Sequence, residues 1–87
     1  MRLDLFLKRS RLVKRRSLAK ELCDEGVVRL NGKPARAGHS VAEGDELVLN
    51  LRNRRLAVTV IALPDNAASA ARPGELYEVV ADERVEE

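Results

Sequence analysis

The chain of 87 residues has one cysteine, one histidine, no tryptophan, one tyrosine and one phenylalanine. Each scarcity excludes something. A lone thiol, Cys23, forms no internal disulfide, and small secreted domains usually carry several, which points to the cytoplasm. One His and one Cys provide no CxxC, HExxH or paired-His spacing for a metal. The five glycines stand singly at turns, so no glycine-rich phosphate loop exists, and no nucleophile elbow appears. No apolar run approaches the roughly 18 residues of a membrane span. The N-terminus lacks the apolar core of a signal peptide, because Asp4, Lys8 and Arg9 interrupt it. Glu43, Asp45 and Glu46 read as turn residues rather than an acid/base pair, and His39 as an exposed loop residue. The expectation is a chain with no catalytic residue, no metal and no cofactor.

Charge is present and unevenly placed. The net charge is only +2, but residues 1–38 hold eleven Lys/Arg and four Asp/Glu, a net of +7. Residues 39–87 hold five Lys/Arg and ten Asp/Glu, a net of −5. One end attracts polyanions and the other does not. The stretch Arg2–Lys20 carries eight of the sixteen basic residues and a single acid, Asp4. It also carries Leu3, Phe6, Leu7, Leu12, Val13, Leu18 and Ala19, so it is no solvated tail.

Periodicity places these residues on elements. Leu3, Phe6 and Leu7 share one helical face, with Asp4 in the first turn where a carboxylate suits the helix dipole. Ser10 to Lys14 reads as a turn or as more helix. A second helix runs from about Arg15 to Glu25, with Leu18, Ala19, Leu22 and Cys23 as its apolar stripe and Gly26 as its left-handed stop. Cys23 is expected to pack between the helices. Arg15 and Arg16 stand at the end of this helix where cations are unfavourable by some tenths of a kcal/mol. They are either merely solvated or, with free N–H groups beside them, a phosphate site.

From Val27 the period becomes two. Val27–Leu30 is a short strand and Asn31-Gly32 its hairpin turn. Lys33 to Ser40 forms an irregular return arm, with Pro34 suited to an edge. Gly44-Asp45 turns the chain into a half-buried strand carrying Leu47, Leu49 and Leu51. Arg52 to Arg55 reads as a polar turn. Leu56, Val58, Val60 and Ala62 alternate along the next strand, which Pro64 stops. Asp65 to Arg72 reads as a loop or one weak helical turn. Pro73-Gly74 leads to a last strand, Leu76 to Ala81, and Asp82 to Glu87 is expected to fray. The fold class is α+β: two N-terminal helices packed on a small, strongly bent antiparallel sheet, with a C-terminal strand extension.

These features favour nucleic-acid binding, and the scarcity of aromatics narrows the mode. Single-strand binders stack bases on aromatic platforms. Here Phe6 belongs to the apolar helix face, and Tyr77 fits either the core or a partner surface. Folded RNA, read by shape and phosphate position, is the expected ligand. A helix-turn-helix on DNA is the structural rival, but the chain turns to strands where that motif wants a third helix.

Arg2-Leu3-Asp4, Leu7, Arg16, Ala19, Gly26, Val28, Asn31-Gly32, Val41 and Gly44-Asp45 resemble the S4-type RNA-binding domain, the alpha-L RNA-binding motif. The resemblance covers about residues 1–52, leaving a β extension and acidic tail over 53–87 of a single domain, 1–87. MRLDLFLKRSRLVKRRSLAKE, VRLNGKPA, VAEGDEL and the late LYE segment are most similar to small free-standing members that act in ribosome quality control. A ribosome-associated heat-shock protein is a relative of these. The resemblance implies a monomeric, cytoplasmic adaptor with no membrane association. Its implied partners are the large ribosomal subunit, large-subunit rRNA, peptidyl-tRNA and an RqcH-type factor that adds C-terminal alanine tails to stalled chains. The alternative is a general rRNA-binding or heat-shock adaptor that recycles stalled large subunits. The implied RNA-binding residues are Arg2 and Arg16, with Lys8, Arg9, Arg11, Lys14, Arg15, Lys20 and Lys33 beside them. Asp4 is expected to orient an arginine or cap a helix, since phosphates repel carboxylates. Many domains of this type have Ser before the motif arginine, where this chain has Arg15.

Overall fold

A computed structural model describes residues 1–63 and 76–84. Helix α1 spans Leu3–Arg9 and α2 spans Arg16–Asp24. Five strands follow, β1 (Val28–Leu30), β2 (Lys33–Pro34), β3 (Glu46–Leu51), β4 (Arg54–Val60) and β5 (Tyr77–Arg84). They form one antiparallel sheet in the order β2-β1-β3-β4-β5. Pro34 lies on the outermost strand, where its missing N–H deprives no neighbour.

The core forms where the helical and strand periods meet. Leu3, Phe6 and Leu7 of α1 are fully buried, with Ala19 and Cys23 of α2. Facing them, Val28 and Leu30 pair with Leu49 and Leu47, which pair in turn with Leu56 and Val58. These side chains stack across three strands on one face, each burial contributing roughly 1.5–3 kcal/mol for the larger residues. Leu18 is the exception to the expected stripe. It is 42 % exposed, because one residue is about 100° of helical rotation away from buried Ala19.

Turns act where the backbone requires them. Asn31 and Gly32 have φ of 52° and 84°, the two left-handed residues of a tight hairpin joining β1 to β2. The Asn31 side chain then ties this turn to β3. Its Oδ1 accepts the Glu46 N–H at 2.9 Å, and its Nδ2 donates to Asp45 Oδ1 at 3.1 Å. Asp45 also accepts the Ala42 N–H at 2.8 Å, so this carboxylate is a turn fastener.

Ser10 to Lys14 resolves as a turn. Arg11 takes a left-handed φ of 63°, its N–H bonds Lys8 O, and the Val13 N–H reaches back to Leu7 O. This closes α1 much as a glycine would, at a cost of about 1 kcal/mol for the non-glycine residue. The polar turn is shorter than expected, since only Arg52 and Asn53 lie between β3 and β4. The last strand is longer. Asp82, expected to fray, pairs with Leu56, and Arg84 pairs with Arg54. β5 also carries one extra residue, Val80, because Ala57 pairs with Ala81 while Val58 pairs with Val79. Asp65 to Arg72, Pro73-Gly74 and Val85–Glu87 lie outside the described residues.

Candidate nucleic-acid interface

The N-terminus is fastened to the arm between β2 and β3. Val41 N–H bonds Met1 O, Leu3 N–H bonds His39 O at 2.8 Å, and Asp4 N–H bonds Ala37 O at 3.1 Å. Exposed His39 thus contributes a backbone carbonyl here. Arg2 forms an isolated bridge with Ser40, and its guanidinium lies over Gly38, where an added Cβ would be 3.8 Å from Cζ. The first residue of the cationic stretch is therefore held by non-local backbone bonds.

Asp4 organises the surface above it. Its residue is 3 % exposed, yet it accepts the Nε–H of Arg2 at 3.2 Å and the Nε–H of Arg16 at 3.2 Å. The Leu5 N–H completes the set at 2.8 Å. Burial alone would raise the Asp4 pKa. The hydrogen bonds from Arg2, Arg16 and Leu5 and the Arg16 charge outweigh it and hold the carboxyl below its ordinary range. The only acid of Arg2–Lys20 thus orients two arginines, one at the start of each helix.

Both arginine side chains remain about half exposed, at 55 % and 49 %. Because Asp4 takes only Nε–H groups, the Nη ends of both forks keep their donors for another acceptor. Two guanidinium forks fixed side by side suit phosphate oxygens or base edges. No side chain caps α2 at Arg15, and α2 carries no acid of its own in its first turn.

The remaining candidates distribute around this pair. Lys20 lies one helical turn beyond Arg16 and shares its face. Lys8, Arg11, Lys14 and Arg15 are exposed at the end of α1 and in the turn that follows, and Arg9 is half-buried. Lys33 is exposed on β2, a different element, and no ion pair or hydrogen bond joins it to the Asp4 cluster. Cys23 is buried and its thiol is pushed up to about 11, first by burial and then by the nearby Asp4 and Asp24 charges. The thiol is buried in the core and stays protonated near neutral pH. Among the described residues no three His, Cys, Asp or Glu side chains stand together to hold a metal. No described helix is long and apolar enough to cross a membrane.

The S4 domain family model matches residues 1–47, the segment that contains both helices, the Asp4 cluster and the first hairpin. The chain is 44 % identical over 85 residues to the RQC P-site tRNA stabilizing factor of Halalkalibacterium halodurans, covering 98 % of this chain and 96 % of that one. It is 40 % identical over 87 residues to the Bacillus subtilis protein of the same name, covering all of both. The fold is similar to heat shock protein 15 of Vibrio cholerae, solved as a trimer, with a TM-score of 0.80 and 29 % identity over 93 % of this chain and 82 % of that one. A family match over more than half the chain and relatives aligned along nearly its whole length make this protein a member of the S4 domain family.

Proposed function

We propose that this chain is a non-enzymatic, cytoplasmic RNA-binding adaptor of ribosome-associated quality control. It holds large-subunit rRNA and peptidyl-tRNA in one relative position while an RqcH-type factor adds C-terminal alanine tails to a stalled chain. The observation that carries the reading is the pair of half-exposed arginines, Arg2 and Arg16, fixed by one buried carboxylate. Phosphate contacts supply affinity and position, and the spacing of the two forks supplies selectivity for folded RNA. The names of the relatives from Halalkalibacterium and Bacillus support a tRNA held in the P site as the target.

In this reading the mechanism is placement. Arg2, Arg16 and the cations around them hold backbone phosphates, and the tRNA stays where elongation proceeds without a small subunit. One copy acts at a time. The free edge of β5 carries Glu78, Asp82, Glu83 and Arg84, and charged side chains on an edge disfavour pairing with a second copy.

A second reading has an observation of its own. The likeness to heat shock protein 15 supports a general adaptor that recycles large subunits without tailing. Both readings predict co-sedimentation with large subunits that carry peptidyl-tRNA, in preference to bare subunits and intact ribosomes. They separate in a reconstituted tailing reaction. Alanine addition that requires this protein supports the first reading, and tailing that proceeds equally without it supports the second. Equal binding to every particle removes both.

A further inference from the structure

A second cluster of arginines lies in the half of the chain that is acidic overall. Arg52, Arg54 and Arg55 occupy three of four consecutive positions at the two-residue turn joining β3 to β4, and Arg84 pairs opposite Arg54 on β5. This end of the sheet therefore carries four arginines from two strands and a turn, with Arg54 and Arg84 on one face and Arg55 on the other. Arg84 stands opposite Arg54, a like-charge register that is destabilising by itself, and the Asp82 carboxylate, which feels both charges, offsets it. Arg54 is accounted for: its Nε and Nη2 both donate to the Asp82 carboxylate at 2.7 Å. Among the described residues, Arg52, Arg55 and Arg84 make no ion pair, although Glu83 stands opposite Arg55. All three are exposed.

The cluster is distinct from the Asp4 site. Asn50 N–H bonds the carbonyl of Val27 at 2.8 Å, which puts the end of β3 against the residues that follow α2. Arg16 begins that helix. Arg16 thus stands at the far end of α2 from the segment that meets β3, about 12 Å along the helix axis from Asp24. The turn also lies beyond residue 47, where the S4 domain match stops.

We propose that Arg52 and Arg55 form a second phosphate-binding site, so that the chain grips RNA at two separated points. Arg54, clamped by Asp82, ties β4 to β5 beside it and is a positioning residue. The proposal rests on the RNA-binding reading above and adds a geometry to it. One site per end of α2 allows one protein to fix two RNA segments against each other, which a single patch does not do.

The test measures binding to large subunits carrying peptidyl-tRNA across a salt series. Arg52→Ala/Arg55→Ala, with folding checked by circular dichroism, is compared with Arg16→Ala and with the triple variant. Loss of two phosphate contacts is expected to reduce the salt slope by about 1.4 to 1.8 and to weaken binding about tenfold near 0.15 M salt. Because the sites are separate, the fold-losses of the tip pair and of Arg16 multiply in the triple variant. A local readout excludes a general charge effect. A hydroxyl-radical probe tethered at Asn53→Cys, with buried Cys23 unreactive, is expected to cut rRNA or tRNA backbone, while the same probe at Glu78→Cys is not. Wild-type slope and affinity in the tip variant, or no cleavage from position 53, overturn the second site while a weakened Arg16→Ala leaves the first intact. If Arg16→Ala also binds like wild type, the RNA-binding reading itself is what fails.

Discussion

Replacing Asp4 by Asn tests whether the carboxylate is a structural anchor for the two arginines. The change keeps the shape of the side chain and an oxygen for the Leu5 N–H, but removes the charge that both guanidinium groups face. Each lost pair has one half-exposed member, so solvent screening limits its worth to about 0.2–1 kcal/mol. The lost carboxylate in the first turn of α1 adds about 0.3–1 kcal/mol. Stability should therefore fall by about 1–2 kcal/mol in urea denaturation at pH 7. The Asp4 pKa is lowered in the folded state. Its contribution is thus present above the unfolded value near 4 and is lost as pH falls through the folded value. The gap between wild type and Asp4→Asn should close in acid. For RNA binding two effects oppose. Removing a negative charge favours phosphate, while releasing two long side chains costs about 0.5–1.5 kcal/mol each when they must be ordered again. The Coulombic gain is screened within a Debye length of about 8 Å at physiological salt, and the ordering cost is not. Binding at that salt should weaken by about 1–2 kcal/mol, or about five- to thirtyfold. A folded Asp4→Asn protein that binds as tightly as wild type, or more tightly, would refute the anchoring role.

Other perturbations follow from single residues. Arg11→Gly relieves a left-handed backbone that arginine tolerates poorly, so the melting stability should rise by about 0.5–1 kcal/mol while affinity for RNA falls. A rise in both would mean that Arg11 has no part in binding. Asn31→Ala removes two hydrogen bonds that join the first hairpin to β3 and should cost about 1–2 kcal/mol, with no change in the salt slope of binding. Cys23, buried with a pKa of about 11, should resist thiol reagents at pH 8 in the native protein and react fully in denaturant. Rapid native labelling would contradict its burial in the core.

Much of this architecture was readable because local chemistry and tertiary packing agree. Leu3, Phe6 and Leu7 share both a helical face and the core. Asn31-Gly32 carries the two left-handed residues its turn demands. The exceptions have specific causes. The end of α1 could not be read, because arginine rather than glycine occupies the left-handed position and gives no stop signal. The acidic run from Asp82 reads as a frayed tail until its partner Arg54, distant in sequence, is seen. Leu18 is apolar but one residue out of phase with the buried stripe. At the candidate site, the cations and an orienting role for Asp4 were visible, but its hold on both arginines depends on a contact across twelve residues. The arginines of the β3–β4 turn were hidden by averaging, since the half that contains them is acidic overall.

The central claim is that the Asp4-held arginines are the grip on RNA. The most direct measurement is the affinity of wild type and Arg16→Ala for large subunits bearing peptidyl-tRNA at physiological salt, with folding verified for both. Arg16 leaves the core untouched, so the variant should fold. A fork placed bidentately on phosphate or base predicts a loss of about 1–3 kcal/mol, roughly five- to 150-fold in affinity, and the opposite charge of Arg16→Glu predicts a larger loss. Wild-type affinity in a folded Arg16→Ala protein would contradict the account.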